Sequence, residues 1–503
     1  MNDLDWIKKW ANYLPEKTAI LDLDTNESFS YLDLHLYAMS ITYFLSKNYK
    51  EGDRIVILGD QSAFMVALFS ACQRLGLILV PINFRLSEIE IKSLLEDCQP
   101  SLVIYSEHYE GRITLVKDFY PITSQINFID DVKINDTKDT KHDKEFEIKE
   151  DLPVFLFYTS GTTSAPKGVL YTNKMMFWNS LNTTMQLELT SRDRTVNVLP
   201  PYHTSGWNIF VLPLLHNGGF IAMLKKFDSK EILKQLDTQN ATVFIGLPTI
   251  LQIISKDEEF KNSDLKSLRY IITGGEYINK QLIKQWKDQK GVFIRPGYGL
   301  TEAGPSITSL HQDVLFDKIN SIGKANFYVE LDIKDSKGKS LKENEVGELC
   351  IKGFIVTPGY WNNSVATKDR LKEDWFYTGD LAYKDSDGYY YLKGRVDDMY
   401  ISGGENIFPQ EIEQVLNQYD GIEKSVVLST KDDIWGNAGI AFIKTSKKRM
   451  HPEEIQDFLK DKLAKYKYPK YYVFLEEFPA TSVGKISRKK LYQLFNETKR
   501  QAN

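Results

Sequence analysis

Between residues 29 and 105 the chain alternates helix-like and strand-like stretches, and this limits its folds more than any other feature. Residues 29–45 carry apolar side chains at helical spacing. Residues 54–59, RIVILG, then read as a strand and turn. A helix is expected over 63–75, a strand over 77–81, a helix over 87–95 and a strand over 101–105. Strands separated by helices in this way pair in parallel and take helices on both faces. An α/β fold on a doubly wound, mostly parallel sheet is therefore expected. Residues 241–248 and 269–273 read as two further buried strands. At 503 residues the chain exceeds one ordinary core, so at least two domains are expected.

Another apolar run, Val154, Phe155, Leu156 and Phe157, leads into YTSGTTSAPKG over 158–168. Thr159, Ser160, Gly161, Thr162, Thr163 and Ser164 crowd hydroxyl and glycine positions into one loop. These residue types favour turns and side-chain-to-backbone hydrogen bonds over helix. Together they offer a concave array of N–H and O–H donors beside the Lys167 ammonium, which suits a polyphosphate. A Walker A loop has Gly before its Lys and Ser or Thr after it, whereas here Pro166 precedes and Gly168 follows.

Other polar segments stand at the ends of apolar ones. His203 closes VNVLPPYH, and Trp207 follows four residues later. Gly274, Gly275 and Glu276 follow the strand-like RYIIT, where glycines let a ligand lie close on the backbone at the strand's C-terminal end. GYGLTEAG occupies 297–304 and is no dinucleotide fingerprint, because Glu302 stands where its last glycine would be. Residues 321–396 are richer in β signals and include GYWNN at 359–363, Asp380 and Arg395. A small α+β unit is expected beyond, with SGGEN at 402–406 and PATSVGKISR at 479–488. Residues 131–150 are charged and poor in apolar groups, and read as a solvated surface loop.

The order TSGTTxxPKG resembles the phosphate loop of the adenylate-forming enzymes, which include acyl-CoA synthetases, aryl-CoA ligases, carrier-protein adenylation domains and firefly luciferase. Ser164 departs from the Gly usual there. YGLTE, the GYW segment, the GRVDD segment and PxTxxGKIxR follow in family order, so the resemblance spans nearly the whole chain. It implies a large N-terminal domain over 1–396 with a small β-barrel-like subdomain, and a mobile C-terminal α+β domain over 397–503 hinged at Asp397. The cofactors implied are ATP, Mg²⁺ and, as co-substrate, CoA. Thr159, Ser160, Gly161, Thr162, Thr163 and Lys167 would hold phosphates, and Gly274, Gly275 and Glu276 the purine and acyl platform. Glu276 departs from the family's usual Ala, and either accepts a hydrogen bond from the adenine amino group or alters the acyl pocket. Tyr298, followed by Gly299, would stack on adenine. Thr301 would bond the α-phosphate and Glu302 would ligate Mg²⁺.

Asp380 would take the ribose hydroxyls, and Arg395 would contact ribose or phosphate. Lys485 would bridge the acyl carboxylate and α-phosphate, and Gly403 and Gly404 would leave room for the pantetheine of CoA. His203 would line the entrance where acid meets nucleotide, and Trp207 is either an acyl gate or a core residue. The implied reaction converts a carboxylic acid, ATP and CoA to acyl-CoA, AMP and pyrophosphate through an acyl-adenylate. The acid expected is a medium- or long-chain fatty acid. The alternatives are an aryl acid of o-succinylbenzoate or 4-coumarate type, or loading of a carrier-protein pantetheine.

The formal net charge of −5 and pI near 5.9 argue against a nucleic-acid partner. No apolar run approaches the roughly 20 residues that span a bilayer. The opening MNDLDWIKKW lacks a signal peptide's apolar region. Cys72, Cys98 and Cys350 have no metal-site spacing. A cytoplasmic enzyme is expected, and the family resemblance suggests a homodimer.

Overall fold

Helix Ala63–Leu75 shows how the alternating pattern becomes structure. Ser62 caps it by accepting from the Met65 N–H, its residues from Ala63 to Arg74 are all buried, and Gly76 ends it at φ 66°. A helix apolar all round has to lie inside a layered α/β core. A computed structural model describes residues 4–135, 145–159, 166–275, 278–403, 405–432, 434–445, 450–460, 462–480 and 486–502. The chain divides into two compact units, Met1–Leu331 with Ile351–Phe376, and Asp332–Cys350 with Tyr377–Asn503.

In the first unit a six-stranded sheet runs Ile122–Ser124, Leu102–Tyr105, Arg54–Leu58, Ile78–Pro81, Pro153–Thr159, Lys167–Thr172. Its pairings are parallel except the last, an antiparallel hairpin. A four-stranded sheet follows the order Glu27–Ser30, Thr18–Asp22, Phe220–Met223, Arg194–Asn197. In the third sheet Val243–Ile245, Tyr270–Thr273 and Phe293–Tyr298 are parallel, and the short strands Thr308–Ser309 and Lys324–Ala325 add antiparallel. The expected α/β architecture is present.

One expectation changes. Residues 131–135 belong to helix Gln125–Asn135 rather than to a loop. Phe128 and Val132 stand one helical turn apart and are 1% and 2% exposed, so two apolar anchors outweigh the charged residues around them.

In the second unit residues 380–384 of strand Trp375–Lys384 pair antiparallel with Tyr390–Arg395. Beyond it, Ile422–Asp432 pairs antiparallel with Gly436–Thr445, which pairs parallel with Tyr471–Leu475. Side chains alternate across this sheet, as the two-residue period of a strand requires. Val427, Ala441 and Ile443 pack with Ile412, Leu416, Ile455 and Leu459 of helices Pro409–Leu416 and Pro452–Leu459. Val426, Leu428, Ile440 and Phe442 face Leu491 and Phe495 of helix Arg488–Ala502. Among the described residues no helix is long and apolar enough to cross a membrane.

Glu413 sits in this unit with its carboxylate accepting the Val427 N–H at 2.8 Å. Burial pushes its pKa from about 4.5 up to about 7, against the Val427 bond and the Arg488 and Lys424 charges, and with help from Asp398. A raised folded-state value means that the native state holds more protons between those limits. Stability contributed by this group is therefore full below pH 4.5 and is lost as pH rises through 7. Glu413→Gln should flatten the fall in unfolding midpoint between pH 5 and pH 8, measured by thermal unfolding. An unchanged slope would reject this account.

Candidate functional site

The YTSGTTSAPKG segment begins in strand Pro153–Thr159 and ends in its antiparallel partner, Lys167–Thr172. Thr159 and Lys167 are direct cross-strand partners, and the Thr159 hydroxyl donates to the Lys167 carbonyl at 3.3 Å. Ser160, Gly161, Thr162 and Thr163 lie outside the described residues, as do Ser164 and Glu276. Below the hairpin the Tyr158 hydroxyl donates to Asp97 Oδ2 at 2.5 Å. Burial raises the Tyr158 phenol, with Cys98 and Asp97 adding to the shift, so it stays protonated as a donor. Burial also pushes the Cys98 thiol up to about 12. Cys72, Cys98 and Cys350 are buried free thiols.

Two neighbouring strand ends bring two glycine-containing segments together. Thr273 and Pro296 are register partners, so Gly274 and Gly275 emerge next to Gly297 and Tyr298. A Cβ on Gly274 would lie 2.8 Å from the Gly297 carbonyl oxygen, and Gly275 takes φ 79°. Gly299 is more constrained, since a Cβ there would lie 1.9 Å from the Pro305 carbonyl oxygen. That close return of the chain makes the turn which carries Thr301 and Glu302, in a 3₁₀ helix over Thr301–Ala303. The Tyr298 N–H donates to Thr308 Oγ1 at 3.2 Å, and its ring packs on the cluster of Ala303 and Ile307.

Glu302 Oε1 accepts from the Tyr360 hydroxyl at 3.0 Å, and the Glu302 carbonyl accepts from the Thr357 N–H at 2.8 Å. Both partners lie in or beside the GYW segment, to which sequence reasoning assigns no site role. In the fold this segment lies along strand Lys167–Thr172, with the Trp361 N–H donating to Gly168 O and the Leu170 N–H to Gly359 O. The resemblance of GYWNN to a family motif was its one signal. No group of three or more His, Cys, Asp and Glu side chains among the described residues could hold a metal. A single carboxylate fits magnesium, which is commonly held by one or two carboxylates together with substrate phosphates.

His203 stands exposed at the tip after strand Arg194–Asn197, its ring 4.6 Å from that of Tyr202. Trp207, in helix Ser205–Asn208, is 3% exposed. Its indole N–H donates to Pro201 O at 2.7 Å, and its ring packs on Phe69 and Phe155. Beside it is a small cavity of about 10 Å³, lined by Met65, Val66, Val211 and Met223 and by the paired amides of Gln61 and Asn197.

In the second unit Asp380 and Arg395 are cross-strand partners, joined through Asp380 Oδ1 and Arg395 Nη1 at 2.7 Å. The Asp380 N–H donates to Thr378 Oγ1, and Arg395 Nη1 also donates to the Thr378 carbonyl. Asp397 is exposed in the turn that follows, and Asp398 forms an ion pair with Arg488. Gly403 adopts φ 57°, and its N–H donates to the Trp435 carbonyl at 3.0 Å. A Cβ on Gly403 would lie 2.8 Å from the Trp435 ring, which is itself 55% exposed and carried no signal in the sequence. Gly404 and Lys485 lie outside the described residues.

The Thr159–Lys167 strand pair, the paired glycine segments and the turn bearing Glu302 lie at strand ends, where α/β enzymes bind their ligands. A match to the AMP-binding enzyme family covers residues 7–361, and one to the AMP-binding enzyme C-terminal domain covers 411–485. A feruloyl-CoA synthase of an Amycolatopsis species is 31% identical over 500 residues, covering 97% of this chain and 98% of that protein. A long-chain-fatty-acid–CoA ligase of Mycobacterium tuberculosis is 28% identical, with 99% of each chain covered. The o-succinylbenzoate CoA synthetase of Bacillus subtilis, solved with its acyl-adenylate, superposes at a TM-score of 0.87 and 26% identity over 98% of each chain. The chain belongs to the AMP-binding enzyme family, among the adenylate-forming enzymes. Within it the chain is an acid–CoA ligase, and such ligases use ATP, Mg²⁺ and CoA.

Proposed function

We propose that this ligase activates an aromatic carboxylic acid. The acid's carboxylate oxygen bonds to the α-phosphorus of ATP as the bond to pyrophosphate breaks, leaving an acyl-adenylate. The CoA sulfur then bonds to the acyl carbon, the thiol proton is lost, and AMP leaves with the carbon–oxygen electron pair. Activation is needed because oxide is a very poor leaving group and AMP a better one. Catalysis of this kind is positioning and charge stabilisation, with no titrating nucleophile.

Thr159, Lys167 and the 160–163 loop cradle the triphosphate, and Tyr298 with Gly274 and Gly275 takes the adenine. Thr301 donates to the α-phosphate. Glu302 would hold magnesium, which would supply positive charge where two anions meet. Asp380 takes the ribose hydroxyls; a carboxylate has about four acceptor sites, so its pairing with Arg395 orients it without consuming it. Lys485 serves the first half-reaction, Gly403 and Gly404 serve the second, and Asp397 is the hinge between domains 1–396 and 397–503. A cytoplasmic location and a homodimer complete the proposal.

The acid is read from Trp207. Its buried ring packs on Phe69 and Phe155, and the cavity beside it, of about 10 Å³, has room for about one water. A buried Trp207 obstructs a long chain more than a compact ring, and the likeness to aromatic-acid ligases supports the compact acid. A medium- or long-chain fatty acid is the second reading, favoured by the spacing of Trp207 from His203, since a displaced ring would open the cavity. A pyrophosphate-release screen decides, using cinnamates, substituted benzoates and fatty acids of rising length, with CoA, with a carrier-protein pantetheine, or with neither. Aromatic acids with CoA should give the highest kcat/KM; a preference for long aliphatic chains would overturn the reading.

A further inference from the structure

Tyr360 has no part in the chemistry above, yet it touches both charged groups at the phosphate end of the first unit. It is 7% exposed, and its hydroxyl donates to Glu302 Oε1 at 3.0 Å. The Lys167 ammonium lies over its ring, 5.4 Å from the centroid. Its backbone is held tightly. It bridges to Val169, and its N–H donates to Thr367 Oγ1 at 3.0 Å. The Thr357 hydroxyl donates to Leu170 O at 2.6 Å and its N–H to Glu302 O at 2.8 Å. One short segment thus carries the phosphate hairpin, the Glu302 turn and the ring between them.

A lysine and a glutamate that both contact one tyrosine would be neutralised before substrate arrives if they paired directly. An aromatic ring gives the ammonium a weaker partner through its negative face. A phenol O–H gives the carboxylate a donor that fixes its direction while leaving its charge intact. We propose that Tyr360 is a positioning residue that keeps Glu302 and Lys167 apart and aimed until the metal–nucleotide complex binds. This rests on the reading of Glu302 as the magnesium ligand and Lys167 as a phosphate partner.

The test is ATP binding to the full-length protein without acid or CoA, followed calorimetrically across a magnesium titration. Tyr360→Phe keeps the ring and removes the donor. It should raise the magnesium concentration at half-maximal binding about tenfold, with affinity at saturating magnesium preserved. Tyr360→Leu removes the ring as well, so Lys167 falls onto Glu302 and affinity drops several-fold even at saturating magnesium. Circular dichroism checks the fold, and should the leucine variant fail to fold, the phenylalanine variant alone decides. A wild-type magnesium midpoint for Tyr360→Phe, beside a shifted midpoint for Glu302→Gln, would overturn the role of Tyr360. Wild-type behaviour of Glu302→Gln would instead show that the magnesium assignment has failed, and this inference would fall with it.

Discussion

Lys485→Ala is expected to slow acyl-adenylate formation by about 10²–10³-fold while leaving thioester formation from supplied acyl-adenylate near wild type. In the first half-reaction a carboxylate approaches a phosphate that already carries negative charge, and an ammonium between them lowers the cost. In the second half-reaction negative charge departs with AMP, so that cation has no equivalent task. The short connection carrying Lys485 is bounded by a β-bridge between Ala480 and Ile486 and by the Ser487 N–H donating to Pro479 O at 2.7 Å. Those contacts do not use the lysine side chain, so its removal should leave the unit folded. Pyrophosphate exchange into ATP measures the first step, and CoA thioester formation from synthetic acyl-adenylate measures the second. Equal losses in both would remove the role assigned to Lys485.

Gly299→Ala should cut pyrophosphate exchange by about 10²-fold although it removes none of the side chains proposed to bind substrate. The added methyl would lie 1.9 Å from the Pro305 carbonyl oxygen and 2.4 Å from its carbon. Both obstacles are backbone, so no rotamer change can relieve them and the turn itself must open. That displaces Tyr298 on one side and Thr301 and Glu302 on the other. Overpacking of this kind costs about 3 kcal/mol at its upper end, which lowers the unfolding midpoint but leaves most domains folded. Gly111→Ala is the control, because nothing stands within 4 Å of a Cβ there. A Gly299→Ala enzyme with wild-type exchange would mean that the turn has slack which the structure does not show.

The two predictions differ in how much of their basis was visible in the chain. Lys485 was named from a ten-residue pattern alone. Gly299 was named as part of a motif, but the reason it must be glycine is the return of Pro305, which no spacing reveals. Asp380 and Arg395 were named separately, fifteen positions apart, and the register of two antiparallel strands makes them partners. Trp207 stood open between gate and core, and its partners Phe69 and Phe155 come from distant parts of the chain.

Local order was therefore written in the chain itself. Hydrophobic period, caps and turn residues act over a few positions, so the alternation of strands and helices, the α/β class and the motifs that mark the family could all be read directly. Tertiary structure alone decided which distant groups meet. The packing of the helix that carries 131–135, through Phe128 on Phe44, and the bond from Tyr360 to Glu302 depend on contacts between residues 84 and 58 positions apart. Packing chooses among such contacts by shape and burial, and neither quantity exists until the layers have come together.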